Sequence, residues 1–315
     1  MKLVECIPNF SEGRDPKVIE AIAGAVRSVD GTRLLGVDPG AGANRTVYTF
    51  AGPSGAVLES AFKAIRVGTE LIDMRRHEGV HPRMGACDCC PFVPLSGATM
   101  KECVDLANRL SERVGGELCI PVYLYGEAAK DPARRGLPDI RRGGYEGLAT
   151  KMESPEWRPD YGPVEFNAKS GATAVGARNL LVAFNVNLNT RDTAIAEKIA
   201  REIRESGTGK RRFKSLQAKG WFIPEYDRTQ VTTNVLDIDD APLQKVFDAC
   251  SELAQGLGAR VTGSEIVGLV PKRALAGDGD DVDAAIDRLA LNDIGKFDPA
   301  RKIMEQALGL PGLTL

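Results

Sequence analysis

Only two histidines occur in the 315 residues, His77 and His81, so any imidazole chemistry is confined to one stretch. Net charge is nearly absent too: 41 Lys and Arg against 43 Asp and Glu leave −2. A chain so balanced has no basic field of the kind that nucleic-acid binders use. No apolar run approaches the ~20 residues that span a bilayer. The opening Met-Lys-Leu-Val-Glu-Cys-Ile-Pro-Asn-Phe sets Glu5 inside its apolar residues, so no signal-peptide core is read there. Seven cysteines, an odd number with Cys89 and Cys90 adjacent, do not make a disulfide framework and fit the reduced thiols of a cytoplasmic protein. What remains is a protein with no nucleic-acid or membrane partner, long enough for two domains.

Several metal and nucleotide motifs are missing as well. The glycine-rich stretch from Asp38 to Arg45 lacks the Lys-Ser/Thr of a P-loop and the G-x-G-x-x-G register of a dinucleotide fold. It reads as a loop at a strand end that presents Asp38, Asn44 and Arg45 to a ligand. Asp278-Gly279-Asp280-Asp281 lacks the register of an EF-hand loop and reads as a turn before a helix. Cys87-Asp88-Cys89-Cys90 has no second ligand pair, because Cys6, Cys103, Cys119 and Cys250 are scattered singly. These cysteines are expected as small buried residues.

What is present centres on Asp73–Pro91. His77-Glu78-Gly79-Val80-His81 matches H-E-x-x-H, in which a helix sets two histidines one turn apart on zinc. Gly79 weakens such a helix, Pro82 pushes His81 out of helical geometry, and no third histidine exists. A zinc hydrolase is therefore the weakest reading, and two loop histidines with only structural hydrogen bonds are another. The third is one catalytic histidine on a loop rich in Gly, Pro and Arg. His77 is expected at the end of the preceding helix, as an imidazolium near its C-terminus or hydrogen-bonded to a free carbonyl.

The periodicity predicts an α+β protein. Strands are expected at Lys2–Phe10, Leu34–Val37, Thr46–Phe50, Phe92–Leu95 and Ile120–Tyr125. Helices are expected from Asp15, over Ser54 to Ile72, and from the capping box Thr99-Met100-Lys101-Glu102. Arg134-Arg135 and Arg141-Arg142 read as solvated charge, or alternatively as an anion-binding rim. Trp157 to Gly171 reads as an ordered connector, since its aromatics need somewhere to pack. From Leu180 the order is β-α-β-β-α-β, the ferredoxin-like unit, followed by helices near Val282–Leu289 and Pro299–Leu308. The basic loop Gly207–Lys214 suits a carboxylate-bearing substrate. Two α/β subdomains, residues 1–178 and 179–315, with mixed, largely antiparallel sheets backed by helices, are expected to face each other across a ligand cleft.

A set of long strings resembles the formiminotransferase domain family. They are Leu3–Gly13 (Leu-Val-Glu-Cys-Ile-Pro-Asn-Phe-Ser-Glu-Gly), Asn44–Phe50, Leu71–Arg75, His81-Pro82-Arg83-Met84-Gly85-Ala86, Pro121–Ala129 and Val267–Pro271. The resemblance is to the stand-alone form, without a cyclodeaminase domain. It implies transfer of a formimino group from N-formimino-L-glutamate to N5 of tetrahydrofolate, in histidine breakdown and one-carbon metabolism. It implies no metal, a cytoplasmic enzyme, and, as we expect, a homodimer. The family's catalytic histidine falls on His81, with Asp38 nearby to orient it. Its folate-contacting segment falls on Gly162-Pro163-Val164-Glu165-Phe166-Asn167-Ala168-Lys169-Ser170-Gly171, which departs from the family pattern at Lys169-Ser170 by losing an aromatic. Arg45, Arg83 and Arg178 are candidates, by position, for the substrate carboxylates. The competing class is a non-catalytic folate or amino-acid binding module of ferredoxin-like fold.

Overall fold

In the computed structural model, which describes residues 2–210, 212–277 and 281–313, the first strand is split. β1 (Val4–Cys6) and β2 (Asn9–Phe10) flank Ile7-Pro8, and Pro8 has no N–H to offer a ladder. Asp15 caps α1 (Pro16–Arg27) by accepting from the Lys17 N–H at 2.8 Å, with Pro16 at the first helical position. Then come β3 (Arg33–Gly40), β4 (Arg45–Gly52), α2 (Ser54–Leu71) and β5 (Cys87–Pro94). β1 and β2 pair antiparallel with both β4 and β5, and β3 pairs antiparallel with β4. The lateral order β5, β1/β2, β4, β3 is that of a ferredoxin-like βαββαβ unit.

This first unit is then extended. α3 (Met100–Glu117), with the capping box of Thr99 and Glu102 formed on both sides, leads to β6 (Val122–Gly126). The short helices α4 (Leu137–Arg141) and α5 (Leu148–Glu153) follow. β7 (Thr173–Ala177) inserts between β5 and β6, parallel to both. α1, α2 and α3 cover one face of the sheet over a core that includes Phe10, Tyr48, Phe50, Phe62, Ile65 and Leu110. On the opposite face a smaller cluster gathers Met84, Cys89, Tyr123, Tyr125, Ile140, Leu148 and Met152. β5 begins at Cys87, five residues before the strand expected at Phe92–Leu95, so the Cys87–Cys90 run is its start. Its cysteines are buried as small residues.

The second unit repeats the motif without the extension. β8 (Val182–Leu188), α6 (Thr193–Ile203), β9 (Leu216–Ile223), β10 (Arg228–Val235), α7 (Leu243–Gly256) and β11 (Val261–Val267) form an antiparallel sheet in the order β11-β8-β10-β9. Val182, Phe184, Val186 and Leu188 alternate into its helix-backed core. Asn187, on the alternate positions, bonds to Gln230 at 2.8 Å and to Asp293 at 3.1 Å. The shorter helices α8 (Lys272–Ala276), α9 (Val282–Arg288), α10 (Pro299–Lys302) and α11 (Met304–Ala307) complete the unit. The single helix expected over Pro299–Leu308 is broken at Ile303, because Val270 bridges there: its N–H donates to Lys302 O and its carbonyl accepts from the Met304 N–H. Asp281 caps α9, while Asp278, Gly279 and Asp280 lie outside the described residues. The division falls between Asn179 and Leu180. Among the described residues no helix is long and apolar enough to cross a membrane.

One residue of the first sheet sets a pH-dependent cost. Glu5 stands opposite Ala51 and Val93, on the face away from the helices, and is 1% exposed. Its Oε2 has no hydrogen-bond partner. Burial pushes its carboxyl up to about 7, against the opposing pull of Arg178. The folded chain therefore holds a proton that the unfolded chain releases near pH 4.5. Stability attributable to this group is lost as pH rises from there to about 7 and stays lost above it. Glu5→Gln should stabilise the protein at pH 8 by roughly 2–3 kcal/mol and leave it nearly unchanged at pH 4. Urea titrations at the two pH values check this, and an equal effect at both would sink it.

Candidate active site at one end of the first sheet

Strand directions bring the strings of the sequence reading together. β4, β5, β6 and β7 all start at the same end of the sheet, where β2 and β3 finish, as the pairs Phe10 with Cys87 and Gly40 with Arg45 show. The Ser11–Gly13 turn locks in here. Ser11 Oγ donates to Gly85 O at 2.8 Å, the Ser11 N–H donates to Ala86 O at 2.9 Å, and the Gly13 N–H donates to Asn44 Oδ1 at 3.0 Å.

The connector is stitched to the histidine loop by backbone bonds. The Met74 N–H donates to Lys169 O at 2.8 Å, the Ala86 N–H to Ser170 O at 2.8 Å, and the Ala172 N–H to Met84 O at 3.1 Å. Gly85 and Gly171 face each other in an isolated bridge. A methyl on Gly85 would lie 2.1 Å from Ala172 O, and Gly171 has φ +66° with Met84 O as close. Only glycine fits this crossing. Asn167 closes the turn by accepting from the Ser170 N–H at 3.0 Å, Phe166 packs on the Tyr145 ring, and Tyr161 donates to Asn108. From Gly162 to Lys169, with Val164 52% exposed, the connector runs mostly along the surface. The Lys169 and Ser170 carbonyls accept from the histidine loop, while the Lys169 ammonium donates to Glu70 O at 2.9 Å.

His81 lies beyond a 3₁₀ turn (Met74–Arg76) in non-helical chain, so the two histidines do not share a helix face. Arg45 Nη1 donates to His81 Nε2 at 2.5 Å. A guanidinium has no lone pair to offer, so Nε2 accepts and the proton sits on Nδ1, which donates to Pro82 O at 2.7 Å. That is a neutral imidazole with its base nitrogen turned to Arg45. His77 differs. Its Nε2–H donates to Asn44 O at 2.8 Å and its Nδ1 accepts from Arg83 Nε at 3.1 Å. Burial, aided by the Arg83 charge and partly offset by the Asn44 bond, lowers its pKa. Of the two roles expected for His77, the carbonyl bond is the one formed, to the loop carbonyl of Asn44, and the imidazolium at a helix end is not. His77→Ala should cost about 1 kcal/mol of stability for the lost hydrogen bonds. Its turnover should fall less than about tenfold, which steady-state assays and thermal melts would check.

The other expected residues divide. Asp38 and Gly40 belong to β3 rather than to a loop. Asp38 is paired with Val47, on the same sheet face as Arg45 and two pairs further from the sheet end. Asn44, expected to face a ligand, is a buried clamp, since its Nδ2 donates to Glu78 O at 2.9 Å while Oδ1 holds Gly13. Arg83 is occupied by both oxygens of Glu146, by the His77 carbonyl and by the His77 ring. Arg178 follows β7 at its far end, roughly 13 Å along the strand from the Cys89–Ala174 pair, and is not gathered with His81.

Residues beyond the expected set complete the cluster. Arg141 Nη2 donates to Asp88 Oδ2, and Asp88 Oδ1 accepts from the Met84 N–H at 3.0 Å. Burial works against the Arg141 charge, but Asp88 and Cys89 beside it raise its pKa above the ordinary guanidinium value. Arg45 is pulled the other way, lowered by burial and by Arg141, with Cys89 and Asp88 only partly offsetting. The signal for Asp88 was legible, as an acid inside a buried-looking cysteine run. Arg141 was visible only as half of the Arg141-Arg142 pair, and the reading of that pair as solvated charge fails for it, since its side chain is 16% exposed on Asp88. Among the described residues no group of three or more His, Cys, Asp or Glu side chains is arranged to hold a metal.

Residues 3–178 match the family model described as the formiminotransferase domain, N-terminal subdomain, and residues 183–280 that of the formiminotransferase domain. A glutamate formimidoyltransferase of Streptococcus pyogenes serotype M1 is 40% identical over 307 residues, covering 98% of this chain and 99% of its own. One from Thermoplasma acidophilum is 41% identical over 312 residues, covering 98% and 100%. The formimidoyltransferase-cyclodeaminase of Sus scrofa is 46% identical over 323 residues, and this chain, 96% covered, spans only 59% of its length. Among solved structures, pitrilysin aligns at 10% identity with 98% of this chain and 41% of its own, with a TM-score of 0.20, too low to carry an argument. Likeness that runs through both units, at 40% and 41% identity to a bacterial and an archaeal relative, shows that this chain belongs to the formiminotransferase domain family.

Proposed function

We propose that this chain is a glutamate formimidoyltransferase, moving the formimino group of N-formimino-L-glutamate to N5 of tetrahydrofolate with His81 as the proton carrier. The observation that carries the reading is the neutral His81 ring, held with Nε2 as acceptor beside Arg45, in a chain of this family. N5 attacks the amidine carbon, forming the N5–C bond and a tetrahedral intermediate. The C–N bond to glutamate then breaks, and that nitrogen leaves with the electron pair and needs a proton. His81 Nε2 takes the proton from N5 and delivers it to the leaving amine, so one imidazole closes the balance. The Pro82 carbonyl keeps Nδ1 protonated and stabilises the imidazolium that forms between the two transfers.

Asp38, on the face that carries Arg45, supports the cationic ring electrostatically in this scheme. The exposed run Gly162–Lys169, next to the histidine loop through Ser170 and Gly171, is the segment assigned to tetrahydrofolate. The test is glutamate release from N-formimino-L-glutamate by the purified chain, with and without tetrahydrofolate and with and without a chelator. Release that requires both substrates and ignores the chelator is expected. Folate binding without any glutamate release would favour the non-catalytic module.

A further inference from the structure

We infer that Arg45 and Arg141 form the subsite for the α-carboxylate of the amino-acid substrate, the carboxylate next to the nitrogen that leaves. The inference rests on the function proposed above and assigns a role to two residues of that site. Asp88, which is 1% exposed, is paired with Arg141, and the Arg45 charge lies near enough to feel both. Burial holds the Cys89 thiol up at about 11 and the Tyr125 phenol higher than usual, so neither adds an anion beside the two guanidiniums.

The donors are incompletely used. Arg141 places Nη2 on Asp88 and Cys89, its buried Nε has no partner, and its side chain is 16% exposed. Arg45 gives Nη1 to His81. The Arg141 charge disfavours the Arg45 cation, and an incoming anion would relieve that repulsion. Arginine binds carboxylate through a planar fork, so two half-used forks make a ready site.

Geometry selects the α-carboxylate over the distal one. Arg45 Nη1 is 2.5 Å from His81 Nε2, and the α-carboxylate is one carbon away from the reacting nitrogen. Bound at Arg45, it sets that nitrogen beside the base. It also draws Arg45 off Nε2, so the lone pair becomes available only when substrate is in place. Arg83 and Arg178, the other candidates, are committed to Glu146 and His77 or stand at the far end of β7.

The experiment pairs variants with trimmed substrates. Arg141→Gln is expected to raise KM for N-formimino-L-glutamate on the order of tenfold to a hundredfold, the worth of a charge-assisted hydrogen bond. KM for tetrahydrofolate should stay within about twofold. With N-formimino-4-aminobutyrate, which lacks only the α-carboxylate, wild type should already be poor and Arg141→Gln no worse. A purely structural role would penalise both substrates alike, and an equal penalty on both, or one on tetrahydrofolate, overturns the subsite. Arg141→Lys, which keeps the charge opposite Asp88, serves if the glutamine variant fails to fold, with the same pattern expected. Calorimetric titration of L-glutamate against 4-aminobutyrate separates the two readings. Discrimination lost in the Arg141 variant, in a chain that never turns over, sinks the proposed function and keeps the subsite. Turnover without discrimination does the reverse.

Discussion

His81→Ala is expected to lower turnover by roughly 10²–10⁴, the usual worth of a positioned acid–base group. The lost group acts on protons in transit, so tetrahydrofolate should bind as before. The fold should tolerate the change as well: the ring's bond to Arg45, the first residue of β4, is one tie between loop and sheet, but Gly85, Ala86 and the connector hold the loop independently of it. Single-turnover kinetics separate the chemical step from release, and a folate titration on the same preparation controls for binding. A His81→Ala enzyme that turns over normally, beside a dead His77→Ala enzyme, would reverse the assignment of the two rings.

Asp88→Asn should be the most destabilising conservative change at the site, by about 3–4 kcal/mol. Breaking a buried ion pair leaves its partner uncompensated, at a cost of about 3–5 kcal/mol. Arg141, 16% exposed, keeps some hydration, which puts the expectation in the lower part of that range. An asparagine can still accept from the Met84 N–H, so the loss reports mainly the charge. Arg141 and Arg45 would then face each other with no carboxylate between them. Chemical denaturation gives the size, and added glutarate should recover part of it by supplying an anion. A variant as stable as wild type would show that Asp88 does not neutralise the pair.

The βαββαβ core of the second unit was legible in order, because a strand such as β8 alternates and a helix such as α6 has a stripe of apolar side chains. The first unit was legible in order but not in extent. β5 begins with Cys87-Asp88-Cys89-Cys90, which has no alternation to read, since Cys89 faces one side of the sheet and Cys87 and Cys90 pack on the other. A register shift between Asn9 and Phe10, opposite this run, is the local reason. His81 could be singled out because only two imidazoles exist and one precedes proline. Asn44 misled because a polar residue in a glycine-rich loop looks presented. Here its φ of +47° turns the chain while its amide clamps Gly13 and Glu78. Arg141 acquires its role from a partner 53 residues away, which no local pattern encodes.

The long-range hydrogen bonds that hold the histidine loop and the connector also bear on when the site comes into being. Ser11 reaches Gly85 across 74 positions of chain, and Lys169 reaches Glu70 across 99. Closing such loops costs entropy before any bond forms, and parallel pairings like β5 with β7 are slow because they are non-local. The βαββαβ portion, residues 4–94, can pair its strands without Gly171. The histidine loop then hangs from β5 with no opposing strand for Gly85. A chain leaving the ribosome thus carries its imidazole long before it carries a competent site. The loop's last support is expected when β7 pairs with β5 and β6.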